Sequence, residues 1–273
     1  MPVDISSIPA GLLPADGTDW QPVTTGESGA AVLHDRGRGR YAKLVAAADA
    51  GELAAERDRI IWLGESGLPA ATVLEWRATE DGACLITSAV AGVPADRLDA
   101  AAIGHAWAAI ASIARRLHDL PTADCPFDRR LASMMPLART TVIENRRVQA
   151  EFLPVSMQHV QATEILGRLE DQLPQRQREE EIERVVCHGD LCLPNILIDP
   201  ETMHVTGLID LGRLGVADPY ADISLLLANA RETWPDEATA RQADAEFAQR
   251  YGIELDAQRQ SFYLLLDPLT WPA

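Results

Sequence analysis

Val185-Val-Cys-His188-Gly-Asp190-Leu-Cys-Leu-Pro-Asn195-Ile-Leu-Ile198, followed by Val205-Thr-Gly-Leu-Ile209-Asp210, is the stretch on which the reading of this chain turns. An apolar strand delivers a His-x-Asp loop, an Asn lies five residues beyond the Asp, and a second apolar strand ends on another Asp. Gly and Asp are common turn residues, so His188-Gly-Asp190 alone would pass for a link between two strands. Asp190, Asn195 and Asp210 in that order, each at the end of an apolar run, call for a chemical explanation.

The order and spacing are those of a kinase catalytic loop and its metal-binding Asp. Phosphoryl transfer asks the protein mainly for positioning and charge neutralisation, because little covalent work falls to side chains. Asp190 is expected where the acceptor hydroxyl approaches, orienting it and taking its proton. Asn195 and Asp210 offer oxygens to magnesium, a hard cation that prefers such ligands. His188 is expected to brace the loop.

Outside that segment the bulk properties exclude more than they identify. With 273 residues, 47% of them hydrophobic, the chain can bury a sizeable core and hold one large domain or two lobes. No opening stretch has a basic region before a long apolar core, and no apolar run is long enough to span a bilayer, so a cytoplasmic protein is expected. Cys84, Cys125, Cys187 and Cys192 fit that compartment as reduced thiols. Cys187, His188 and Cys192 match none of the usual zinc spacings. A net charge of -17 argues against a nucleic-acid partner and suits a small cationic one. Oligomeric state is left open.

Trp20 to Thr25, Ala30 to His34 and Arg40 to Val45 read as short strands separated by glycine-rich turns. A helix follows, with Asp49 and Glu52 as a capping signal and Leu53, Ile60, Ile61 and Leu63 on one side. Ala71 to Trp76 and Ala83 to Ser88 read as two more strands. From Ala100 the period turns helical, with Ile103, Trp107, Ile110, Ala114 and Leu117 on one face. Arg176 to Glu183 reads as a solvated helix face, and Asn195 to Ile198 with His204 to Ile209 as a hairpin. Tyr220 to Arg231, Asp236 to Tyr251 and Asp256 to Leu266 read as helices. The layout is α+β: a strand-rich N-terminal lobe at 1–90, expected to bind nucleotide, and a helical, catalytic C-terminal lobe at 91–273.

No Gly-x-x-x-x-Gly-Lys-Ser/Thr sequence is present, which removes a P-loop. The turn Gly26-Glu-Ser28-Gly29 takes its place, with Ser28 and nearby N–H groups facing phosphate. Lys43 lies in the apolar strand Tyr41-Ala-Lys-Leu-Val45, where an unpaired ammonium would be costly. Glu56 is its natural partner for clamping the α- and β-phosphates, with Glu52 one turn earlier as a competitor. Backbone groups of Ser88 to Gly92, with Ala89 and Val90 at the centre, are expected to hold an adenine.

These residues resemble those of a known family. Val186-Cys-His-Gly-Asp190, Gly207-Leu-Ile-Asp-Leu-Gly-Arg213-Leu-Gly215, Asp124-Cys-Pro-Phe127 and Phe262-Tyr-Leu-Leu-Leu-Asp267 resemble the aminoglycoside phosphotransferases over nearly the whole chain. Gly51-Glu-Leu-Ala-Ala-Glu-Arg-Asp-Arg59, Gly82-Ala-Cys84 and Leu266-Asp-Pro-Leu-Thr-Trp271 resemble the streptomycin 3''-phosphotransferases within it. Kanamycin 3'-phosphotransferases typically end in an Asp-Glu pair and a terminal Phe, whereas here Pro268 follows Asp267 and a Trp-Pro-Ala tail closes the chain. The resemblance implies a bilobal protein-kinase-like fold, ATP with Mg2+, and transfer of the γ-phosphate to the 3''-hydroxyl of streptomycin. It implies Asp190 as catalytic residue, Asn195 and Asp210 as magnesium ligands, and Lys43 with Glu56 as phosphate clamp. Asp190, Glu232 and Asp267 would line the antibiotic side, where carboxylates suit guanidinium groups. Arg213 contacts phosphate or pins the Asp210 loop. Alternatives are a kinase of the same fold acting on another aminoglycoside, a macrolide or an amino alcohol, and a nucleotide-binding pseudokinase.

Overall fold

Alternating side chains over the first ninety residues build an antiparallel sheet whose strands are β1 (Gln21–Pro22), β2 (Ala31–Asp35), β3 (Arg40–Ala46), β4 (Val73–Ala78) and β5 (Gly82–Ser88), ordered β1-β2-β3-β5-β4. They are seen in a computed structural model that describes residues 11–14, 19–23, 30–146 and 148–271. Two units result: Met1–Gly92 with Thr206–Gly212, and Val93–Val205 with Arg213–Ala273.

In the first unit the period-2 pleat sends Ala42 and Leu44 of β3 into a core with Leu12, Trp20, Leu33, Cys84 and Ile86. Lys43 points to the other face, opposite Leu85 of β5 and Val32 of β2. There it meets α1 (Ala50–Glu65), whose buried stripe is Leu53, Glu56, Ile60 and Leu63. Glu56 takes the inner position expected of Ile61, which is 44% exposed. Asp49 makes no side-chain capping bond, because Ala47–Asp49 already forms a 3-10 turn leading into the helix.

The second unit starts at β6 (Val93–Pro94) and α2 (Ala100–His118), whose N-cap Asp99 accepts from the Ala102 N–H. Ile103, Trp107, Ile110, Ala114 and Leu117 are all buried, so the helical period was legible in sequence. The remaining elements are α3 (Leu131–Ile143), α4 (Ala162–Glu183), β7 (Val185–Cys187), β8 (Ile196–Ile198), β9 (Val205–Leu208), β10 (Gly215–Ala217), α5 (Tyr220–Ala230), α6 (Glu237–Tyr251) and α7 (Ala257–Leu266). In β9 the chain crosses into the first unit. β7 pairs antiparallel with β10, which places the His188 to Asn195 loop at the end of a buried ribbon. A core of Leu131, Met135, Ile165, Leu169, Tyr220, Phe262 and Leu266 joins α3, α4, α5 and α7.

One expectation is overturned in α4. Arg176 to Glu183 is not a wholly solvated face: Arg176 is 1% and Glu180 6% exposed. Arg176 is paired with Glu179 at 2.7 Å, and Glu180 accepts the Leu131 N–H at 2.9 Å, satisfying the first amide of α3. Burial pushes the Glu180 carboxyl up to about 7. Charge composition concealed this, because a helix can bury charged residues whose partners lie far away in sequence.

Candidate active site

Lys43 joins two carboxylates in the first unit. Its Nζ donates to Glu56 Oε2 at 2.8 Å and to Asp210 Oδ1 at 3.0 Å. The competitor Glu52 is thereby passed over. Burial works against the charged Lys43, but Asp210 and Glu56 more than offset it and hold its pKa above the ordinary lysine value. Burial raises that of Glu56, against the pull of Lys43. Asp210 is exposed and has φ +60°, a left-handed conformation that Asp tolerates better than most residues. Gly212 lies against the Glu56 carboxylate, where an added Cβ would come 3.5 Å from Oε2.

Further along the first unit, Ala89 and Val90 follow β5. The Ala89 N–H donates to the Gly39 carbonyl at 2.7 Å, so its carbonyl is the atom that can serve a ligand. The Val90 side chain fills the space beside Gly207. Ser28 lies outside the described residues.

The residues of the His188 to Asn195 loop lie in the second unit. Asn195 Nδ2 donates to the Asp190 carbonyl at 2.9 Å and to Asp190 Oδ2 at 3.1 Å, so these bonds engage its amide nitrogen and leave its amide oxygen out of them. Asn195 is buried and Asp190 half-buried. Behind the loop, Asp222 of α5 accepts the His188 N–H at 2.7 Å and the Gly189 N–H at 2.8 Å. Asp222 also lies 3.0 Å from His118 Nε2, and His118 Nδ1 lies 2.6 Å from the Tyr251 hydroxyl. The Nε2–H donates to the carboxylate, and Nδ1 and the Tyr251 hydroxyl share the second hydrogen bond of the ring. Burial alone would raise the Asp222 pKa, but hydrogen bonding and charge from His118, together with the loop, hold it below the usual carboxylate range.

His118, Cys187 and Asp222 have polar atoms within 4.8 Å of one another. Burial keeps the Cys187 thiol protonated, and it donates to the Asp218 carbonyl at 3.3 Å. With Asp222 and His118 also committed, these three form a hydrogen-bonded core.

Asp267 is 7% exposed. Its Oδ1 takes Arg213 at 2.5 Å and Arg129 at 3.4 Å, and its Oδ2 takes the Trp271 indole N–H at 2.8 Å. Glu232 is exposed in the 3-10 turn Arg231–Thr233 after α5.

Residues 19–260 match the model of the phosphotransferase enzyme family. The chain belongs to that family. Over 255 residues, 93% of each chain, this phosphotransferase is 56% identical to streptomycin 3''-kinase of Streptomyces griseus. It is 38% identical over 270 residues to an aminoglycoside 3'-phosphotransferase of Streptomyces fradiae, covering 91% of this chain and 94% of that one. Its fold superposes with a TM-score of 0.90 on aminoglycoside phosphotransferase APH(3'')-Id from Streptomyces rimosus, solved with ADP and streptomycin. The two are 51% identical, with 96% of this chain and 97% of that one covered. The phosphotransferase therefore has the α+β kinase-like fold.

Sequence reasoning missed Asp222, His118 and Arg129. Asp222 lies in the first turn of a helix written as apolar, and only its conspicuous charge in Tyr220-Ala-Asp-Ile-Ser-Leu could have flagged it. Among the described residues no helix is long and apolar enough to cross a membrane.

Proposed function

We propose that this phosphotransferase transfers the γ-phosphate of ATP to the 3''-hydroxyl of streptomycin. The observation that carries the reading is the 56% identity, over 93% of both chains, to streptomycin 3''-kinase. The ADP and streptomycin bound by the APH(3'')-Id relative support it.

In this scheme Asp190 accepts a hydrogen bond from the acceptor hydroxyl and takes its proton as the new O–P bond forms. The bond from the γ-phosphorus to the bridging oxygen breaks, and ADP leaves with the electron pair. Lys43, oriented by Glu56, contacts the α- and β-phosphates. The Asn195 amide oxygen and the Asp210 carboxylate are each a hard-oxygen ligand of the kind magnesium prefers, and magnesium would supply neutralisation of phosphate charge. Ala89 and Val90 supply backbone groups to the adenine. Asp190, Asp267 and Glu232 serve the cationic antibiotic, in keeping with the net charge of -17.

The test is MgATP turnover by purified protein with streptomycin, kanamycin and no acceptor, and NMR of the product to locate the phosphate. Phosphate at the streptomycin 3''-hydroxyl with kanamycin inert is expected. Phosphorylation of kanamycin with streptomycin untouched would overturn the substrate assignment.

A further inference from the structure

Gly189 immediately precedes Asp190 and has φ +81°. A Cβ at this position would overlap the Arg213 carbonyl and fall 2.8 Å from the Arg129 Cδ. The Arg129 side chain therefore lies directly against the backbone from which Asp190 projects. Its own backbone is fixed by pairing with β10, the Arg129 N–H donating to the Val216 carbonyl at 2.9 Å.

The Arg129 guanidinium is buried and incompletely satisfied. Its contact to Asp267 is long, at 3.4 Å, and Arg213 takes the same oxygen at 2.5 Å. Its Nε has no hydrogen-bond partner among the described residues. Burial and the charge of Arg213 pull its pKa down to about 10, while Asp267, Asp222 and Asp190 act in the opposite sense. A buried cation so loosely held is a poor structural strut. What it does have is position, with its stem against Gly189 and its guanidinium at Asp267.

We infer that Arg129 is a positioning residue for phosphoryl transfer: packed against Gly189, pinned by its backbone to β10 and tied through its guanidinium to Asp267, it fixes the backbone from which Asp190 meets the substrate hydroxyl. This deepens the kinase reading above and rests on it.

Arg129→Met and Arg129→Lys are compared with the wild type, using whichever aminoglycoside the wild type phosphorylates. An inert streptomycin assay then counts against the substrate assignment and leaves Arg129 to be tested with the active acceptor. Arg129→Met is expected to lower kcat by about 10- to 100-fold with the ATP KM changed by no more than about twofold, as for loss of a group supporting the general base. Arg129→Lys, which keeps a cation for Asp267, should recover part of kcat. Unchanged kcat in Arg129→Met would overturn the inference, as would Met and Lys variants equally slow or an ATP KM that rises in step with the fall in kcat. Should Arg129→Met fail to fold, Arg129→Lys decides: a lower kcat at an unchanged ATP KM supports the role, and a wild-type kcat overturns it.

Discussion

The Lys43 ammonium lies 3.0 Å from the Asp210 carboxylate although 167 positions separate them in sequence. The same ammonium is 2.8 Å from Glu56, so one cation ties a central strand to a helix and to a loop entering from the distant part of the chain. Lys43→Met, which keeps the stem and removes the charge, is expected to cost about 2–4 kcal/mol in kcat/KM for ATP, the range for losing one preorganised electrostatic contact. Steady-state kinetics should show the ATP KM rising more than the streptomycin KM. Equal increases would make the contact a folding device.

Asp190→Ala should abolish turnover while leaving nucleotide affinity within about threefold of wild type, because an acceptor-side base has no role in holding the donor. Calorimetric titration with ADP and magnesium beside the kinase assay checks both halves. A mutant with near-normal kcat would remove Asp190 from the chemistry.

Asp222→Ala leaves the buried amides of His188 and Gly189, and the His118 ring, without their acceptor, which should destabilise the protein by about 2–4 kcal/mol. The Asp222 pKa is depressed in the fold, so its contribution is present above the ordinary carboxylate range and is lost only as pH falls through the lower folded value. Urea unfolding of wild type and Asp222→Ala at neutral pH and near pH 3 should show the gap narrowing at the acid end.

Glu180 has the opposite sign. Its folded pKa is raised by burial to about 7 from 4.5, so the folded protein binds the extra proton and stability falls as pH rises through that window. Glu180→Gln keeps an oxygen for the Leu131 N–H and removes the buried charge. It should gain on the order of 2 kcal/mol over wild type at pH 8 and little at pH 4.5, from the size of that shift. Chemical denaturation across that range would show parallel curves for the two proteins if Glu180 is not the titrating group.

Asp267→Asn keeps the shape of the carboxyl and removes its charge, leaving Arg129 and Arg213 without their shared counter-ion. A rise in streptomycin KM of about 10-fold or more with the ATP KM little changed is expected for loss of a charged contact on the antibiotic side. A parallel rise in both KM values would assign Asp267 to folding alone.

Sequence by itself determined the reaction class and most of the helices and strands. Asp190, Asn195 and Asp210 are close enough in the chain, and flanked by apolar runs regular enough, that their spacing alone pointed to the phosphotransferase family the chain belongs to. The α2 face and the strand bearing Lys43 were legible for a related reason: hydrophobic period is a local property. The choice of Glu56 over Glu52 was decided only by tertiary structure, because both lie near the start of one helix and the register of β3 against α1 selects between them. Tertiary structure likewise buried Arg176 and Glu180, brought Asp222 and His118 together under the His188 to Asn195 loop, and surrounded Asp267 with Arg129, Arg213 and Trp271. A charged residue is spelled the same way on a solvated face and in a buried pair, and only the packing of distant elements determines which it is.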